Sequence, residues 1–308
     1  MAQGLPCKHN CVYRLVMDFV DLPAGLSLVE EPMRGIKVDT QLCTGLVLEH
    51  GAHVVEWMPK SASDPVLWMS EKSDFADDKP IRGGVPIVYP WFGPGRKGTE
   101  QPGHGFGRLA PWRLMSAKVT DRGAAHLVFQ MNAKDDSLLG VNRYPEATVE
   151  LHLSMGSVLQ MSLVVTAREH KIDFEEGLHT YFTVGDVRKI KINGLDGEPY
   201  TDNLTGKFHR LEGDLTFDAE TDIRFDTVKN PRIVDEELAR VISIESVGAS
   251  NVVVWNPWVD KSKAMPDFGD DEWPGMVCVE VANARSGSLV LAPGERHVMS
   301  QVITVREI

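Results

Sequence analysis

The run Ala147-Thr148-Val149-Glu150-Leu151-His152-Leu153-Ser154-Met155-Gly156-Ser157-Val158-Leu159-Gln160-Met161-Ser162-Leu163-Val164-Val165 decides the fold class. Ala147, Val149, Leu151 and Leu153 point one way, and Thr148, Glu150, His152 and Ser154 the other. This is the period of a half-buried strand. Gly156-Ser157 reads as a hairpin turn, after which Leu159, Met161, Leu163 and Val165 alternate again. The same pattern predicts strands at Gly45–Leu48, His53–Trp57, His126–Asn132, Ile190–Asn193, Val241–Glu245, Asn251–Trp255, Met276–Val281, Ser288–Leu291 and His297–Val305, with Pro293-Gly294 a turn between the last two. Helical periodicity is scarce: Asp235–Val241 is expected as a short helix and Val259–Met265 as a single turn. Many short strands between turn signals predict an all-β sandwich or barrel.

The chain has 308 residues, 43% hydrophobic and 25% charged. A globular chain of this length buries roughly 75% of the surface its unfolded form exposes, so it needs no covalent staples. Without repeats, low-complexity tracts or a clear linker, one domain over residues 21–308 is expected, preceded by a tail over residues 1–20. The formal charge of −12 argues against nucleic acid or an anionic membrane as partner, since both call for a basic face. It leaves room for an anionic small molecule, which needs only a local pair of arginines. Cys7, Cys11, Cys43 and Cys278 form no paired zinc spacing. Cys7 and Cys11 bracket His9, which reads either as an adventitious metal site or as a loose tail with free thiols. Sparse, unpatterned cysteine fits a reducing compartment. No apolar run approaches the ~18 residues of a membrane span, and the N-terminus lacks the apolar core of a signal peptide. A soluble, cytoplasmic protein is expected.

The chemistry concentrates in Arg82-Gly83-Gly84-Val85-Pro86-Ile87-Val88-Tyr89-Pro90-Trp91-Phe92-Gly93-Pro94 and Gly103-His104-Gly105-Phe106-Gly107-Arg108. Glycine allows close backbone approach to a ligand, proline stiffens the loop, and arginine grips phosphate or carboxylate with two prongs. Arg82 and Arg108 are either surface cations facing the abundant carboxylates or a convergent grip on one anion. His104, between two glycines, either packs the loop or touches a ligand. Tyr89, Trp91, Phe92 and Trp258 are core aromatics or a wall for the apolar face of a sugar. His179, in Leu178-His179-Thr180-Tyr181-Phe182, is a hydrogen-bonded sheet histidine or an acid–base group. In the strand Met276–Val281, Cys278 and Glu280 share one face. Glu280 is a solvent-face glutamate, or one held in a pocket where its pKa rises into the range useful to a base. No Gly-x-x-x-x-Gly-Lys-Ser/Thr loop, Gly-x-Ser-x-Gly elbow or His-Glu-x-x-His is present, and no cofactor is called for.

Taken in order, these motifs, with Trp112, Val184-Gly185-Asp186, Trp255-Asn256-Pro257 and Val277-Cys278-Val279-Glu280, resemble the D-hexose-6-phosphate mutarotases, or glucose-6-phosphate 1-epimerases, a branch of the aldose 1-epimerase superfamily. The resemblance runs from about Leu46 to the C-terminus. It implies a large antiparallel β-sandwich of the galactose-mutarotase type, one domain, no metal and no cofactor. It places the catalytic histidine on His179, the catalytic glutamate on Glu280, the phosphate-gripping arginines on Arg82 and Arg108, and the sugar-contacting histidine on His104. A sugar-binding aspartate falls on Asp222, although Phe225 stands where the family often has tyrosine. The implied reaction opens and recloses the sugar ring, with Glu280 as base and His179 as acid. The expected partner is a small sugar phosphate, and the expected state a monomer. The competing readings are an epimerase of unphosphorylated aldoses and a non-catalytic carbohydrate-binding protein on the same sandwich.

Overall fold

The computed structural model describes residues 22–132 and 147–308. The hairpin forms as read, with strands Ala147–Met155 and Leu159–Ala167 in antiparallel register from Ala147↔Ala167 to Met155↔Leu159. Ala147, Val149, Leu151, Leu153 and Met155 are buried and face Leu159, Met161, Leu163, Val165 and Ala167. A one-residue slip would turn this whole apolar set to the other face, which fixes the pairing.

The hairpin belongs to an eight-stranded sheet in the order Lys191–Asn193, Arg232–Asp235, Arg240–Val247, Arg296–Glu307, Leu159–Ala167, Ala147–Met155, Ala125–Asn132, Arg113–Val119. A second eight-stranded sheet runs Phe208–Arg210, Pro199–Asp202, Thr221–Phe225, Asn251–Asn256, Met276–Asn283, Glu176–Leu178, Ile87–Val88, with Tyr181–Thr183 also paired to Met276–Asn283. Their apolar faces merge into one core. A four-stranded meander, Leu26–Val29 to Val54–Pro59, packs beside the hairpin, where the Trp57 indole donates to the Gly156 carbonyl at 3.0 Å. The protein is all-β, with the one α-helix among the described residues at Trp258–Ala264. No helix there is long and apolar enough to cross a membrane.

Each strand expected from alternation lies within an observed strand or overlaps one. The expected turn of helix at Val259–Met265 is the helix Trp258–Ala264. The expected helix at Asp235–Val241 is instead the hairpin joining Arg232–Asp235 to Arg240–Val247. The Asp235 carboxylate accepts from the backbone N–H of Glu237 and Leu238, and Ala239 closes the turn at φ 47°. Aspartate offering its own acceptor to nearby N–H groups favours a turn over a helix. The tail and the Cys7–Cys11 site lie outside the described residues.

The loop bearing the sequence motifs packs several of its glycines tightly against neighbouring backbone. Gly105 takes φ +75°, and a Cβ there would land on the Tyr89 carbonyl and the Pro90 nitrogen. Gly105→Ala combines left-handed strain with overpacking against backbone. It is expected to destabilise the fold by about 2–5 kcal/mol, read as a lowered midpoint in urea unfolding.

Candidate active site

Register brings the two sequence-distant groups together. Leu178 pairs with Val281 and Tyr181 with Cys278 on the same strand. Continuing that register between the two pairs sets His179 opposite Glu280. Cross-strand neighbours project from the same face, and here His179 Nε2 lies 3.4 Å from Glu280 Oε1, both side chains buried. Thr180 points to the other face, donating to Gln301 Oε1 of the first sheet at 2.8 Å. The His179–Glu280 pair therefore sits on the outer face of its sheet, away from the sandwich interior. Glu280 is 1% exposed because loops cover that face; the solvent-face alternative does not hold.

The same face carries a row across the strands, Asp222 opposite Trp255, Trp255 opposite Cys278, and Cys278 opposite Tyr181. Tyr181 stacks on His179 with ring centroids 4.9 Å apart and 13° between planes. Trp255 stands edge-on to both rings. Asp222 is half-buried and accepts from Asn203 Nδ2 at 2.7 Å. Phe225, three residues further on, is odd in the strand period and fully buried. It packs against Tyr200, so the missing tyrosine hydroxyl is taken from the core side and not from Asp222's face.

The glycine-rich loop closes over this row. His104 holds φ 64°. Its ring stands edge-on to His179 at 5.3 Å and to Phe92 at 4.9 Å. The Gly93 N–H donates to His104 Nδ1 at 3.4 Å, which leaves Nε2 as the protonated nitrogen of the neutral ring. Arg82 donates Nε and Nη2 to the Asp267 carboxylate and Nη1 to the Tyr181 hydroxyl at 2.9 Å. Arg108 donates Nη2 to the Gly103 carbonyl at 2.7 Å. Its Nε is buried without a partner, and among the described residues no carboxylate pairs with it.

Of the residues singled out from sequence, His104, His179, Glu280, Arg82, Arg108 and Asp222 gather here. Trp258 does not join them through its ring contact, which is with Trp273 at 4.3 Å. Tyr89 packs against Phe106 and Phe174, and Trp91 donates to the Pro102 carbonyl; both are buried under the loop. Tyr181, Trp255 and Asp267 had no assigned role from sequence. The segments containing Tyr181 and Trp255 stood out, but nothing local marked which side chain would turn to the outer face.

Burial dominates the electrostatics. It pushes His179 down to about 3, with the Arg108 and Arg82 charges adding to the push. It holds His104 well below the ordinary histidine range, again aided by Arg108. Glu280 is pushed well above the carboxylate range by burial and then by the Asp222 charge. Arg108 is drawn down to about 10 by burial and by Arg82. A neutral imidazole beside a protonated carboxyl carries the same number of protons as an imidazolium beside a carboxylate. Burial favours the neutral form of the pair. His179 Nδ1, Glu280 Oε2 and Arg108 Nε are all buried without hydrogen-bond partners. Each such atom costs about 1–3 kcal/mol, and three of them on residues of this one site are what a bound ligand would offset. Among the described residues, no three His, Cys, Asp or Glu side chains are grouped so as to hold a metal ion.

An outer-face pocket with a histidine–glutamate pair on a large antiparallel sandwich is the arrangement of a mutarotase-type isomerase. The family profile described as Aldose 1-epimerase matches residues 36–304, and the chain belongs to that family. A protein of Escherichia coli (strain K12) named "Putative glucose-6-phosphate 1-epimerase" is 33% identical over 258 residues, covering 82% of this chain and 84% of its own. A protein of Cenchrus ciliaris with the same name is 30% identical over 292 residues, 90% of this chain and 84% of that one. The crystal structure of "a putative mutarotase (YeaD) from Salmonella typhimurium" superposes with a TM-score of 0.85 at 28% identity, covering 94% of this chain and 96% of that one.

Proposed function

We propose that the protein interconverts the α and β anomers of a hexose 6-phosphate, with Glu280 and His179 as the proton-transfer pair and Arg82 and Arg108 as the phosphate anchor. The observation that carries this reading is the half-buried Arg108 cation, its Nε buried and without a carboxylate partner among the described residues, close enough to the His179–Glu280 pair for its charge to act on both. A cation of this kind calls for an anion, and an unphosphorylated sugar brings none.

Anomer exchange needs the anomeric hydroxyl deprotonated while the ring oxygen is protonated and its bond to the anomeric carbon breaks. The open aldehyde then turns about its first carbon–carbon bond, and closure on the other face reverses both transfers. Glu280 takes the hydroxyl proton and His179 protonates the ring oxygen. Each positioned group contributes typically 10²–10⁴-fold. Burial favours the proton on Glu280 over His179, and a bound phosphate offsets the Arg82 and Arg108 charges that depress His179. Binding thereby favours moving that proton to His179, giving carboxylate and imidazolium as ring opening requires. The phosphate itself does not react; it holds the sugar while the aldehyde turns. His104, protonated at Nε2, donates to a sugar oxygen, and Asp222 at the rim accepts from a sugar hydroxyl.

The test is anomer equilibration of glucose 6-phosphate and of glucose, each followed with an anomer-specific dehydrogenase. The phosphorylated sugar is expected to equilibrate at least tenfold more efficiently. Equilibration no faster than in buffer, or equal efficiency on both sugars, defeats the proposal.

A further inference from the structure

Arg82 and His179 do not touch, yet one side chain touches both. The Tyr181 hydroxyl accepts from Arg82 Nη1 at 2.9 Å, and its ring lies nearly parallel to the His179 imidazole. Tyr181 is itself held from behind. Trp68 stacks on it at 5.7 Å, and Phe268 packs on Trp68 at 4.9 Å. The other edge of Arg82 is fixed by Asp267 through Nε and Nη2. The segment bearing Asp267 and Phe268 is stapled in turn. The Glu272 carboxylate accepts from the Ser70 hydroxyl at 2.6 Å and from the N–H groups of Glu71 and Gly269 at 2.8 Å. The stretch Asp267-Phe268-Gly269-Asp270-Asp271 thus forms the outer brace of this arrangement.

We infer that Tyr181 is a positioning residue that joins the anion anchor to the proton-transfer pair. Its hydroxyl sets the direction of the Arg82 guanidinium, and its ring face sets the plane of the His179 imidazole. With its oxygen accepting from Arg82, the hydroxyl keeps its own proton for an oxygen of the bound anion. The anchor and the acid then form one rigid unit, Asp267–Arg82–Tyr181–His179, and the phosphate is located relative to the imidazole and not merely attracted. Placement of this kind within fractions of an ångström is what a reacting geometry demands.

The inference deepens the activity proposed above and rests on it for its catalytic half, so two substitutions and a binding measurement separate the parts. Tyr181→Phe keeps the stacked ring and removes the hydroxyl. It is expected to weaken inorganic phosphate binding in calorimetry, and to raise KM for glucose 6-phosphate, by about tenfold each, one hydrogen bond's worth. Its kcat should fall by less than KM rises. Tyr181→Leu removes ring and hydroxyl together; it should weaken phosphate by a similar factor and lower kcat a further tenfold or more. A purely structural tyrosine would reduce the active fraction, and so kcat, leaving KM and phosphate affinity untouched. Phosphate affinity in Tyr181→Phe equal to the wild type overturns the inference, as does a wild type that binds no phosphate. Calorimetry needs no turnover. A wild type that binds phosphate but fails to equilibrate anomers therefore defeats the proposed activity, while the Tyr181→Phe comparison still decides the coupling.

Discussion

Glu280→Gln is expected to lower glucose 6-phosphate mutarotation by about 10³-fold with the fold intact. The amide has the shape of the carboxyl but cannot take and return a proton. The prediction of an intact fold has a specific basis. Burial and the Asp222 charge raise Glu280 well above the ordinary carboxylate range, so the surroundings favour the neutral acid, and a neutral amide suits them in the same way. The side chain carries no protein hydrogen bond on Oε2 that the substitution would break. Circular dichroism and the thermal midpoint should match the wild type, while the dehydrogenase-coupled rate collapses. A rate within threefold of the wild type would remove Glu280 from the proton transfer. A collapse accompanied by a large fall in midpoint would mean that the carboxyl serves the fold and not the chemistry.

The sandwich was legible because its signal is local. In Ala147–Ser154 each residue declares its face by itself, and the hairpin turn follows within two residues of the last apolar position. The site was legible only in parts. That Cys278 and Glu280 share a face follows from the strand period and holds in the structure. That the face is covered, and that His179 arrives opposite Glu280, depends on the pairing of two strands about a hundred positions apart, which no local pattern encodes. The motif order supplied what the physics of single residues left open, selecting His179, Glu280, Arg82, Arg108, His104 and Asp222 together. It left Tyr181 and Asp267 without roles, since their importance lies in contacts with Arg82 across the site. At Asp235–Val241 the reverse happened. A plausible helical composition was overruled by one carboxylate accepting two backbone N–H groups.

Arg108→Ala is expected to reduce kcat/KM for glucose 6-phosphate by about 10²–10³-fold and to leave the rate on glucose little changed. The asymmetry between the two arginines makes Arg108 the sharper test. Arg82 is already offset by Asp267, and removing it would also expose that carboxylate to the phosphate, so its loss mixes two effects. Arg108 has no carboxylate partner among the described residues and is drawn down to about 10 by burial and by Arg82, so an anion beside it would restore its charge. Two charge-assisted hydrogen bonds to phosphate at about 1.5–3 kcal/mol each give the predicted loss once part is given back as relief of the repulsion between Arg108 and Arg82. For glucose the effects oppose each other: the Arg108 charge lowers both His179 and Glu280, so its removal eases protonation of the ring oxygen while making the Glu280 carboxylate harder to form. The measurement is the ratio of kcat/KM values on the two sugars, which cancels any change in active fraction. An unchanged ratio would mean that the phosphate lies elsewhere and that the pocket does not distinguish a phosphorylated hexose from a free one through Arg108.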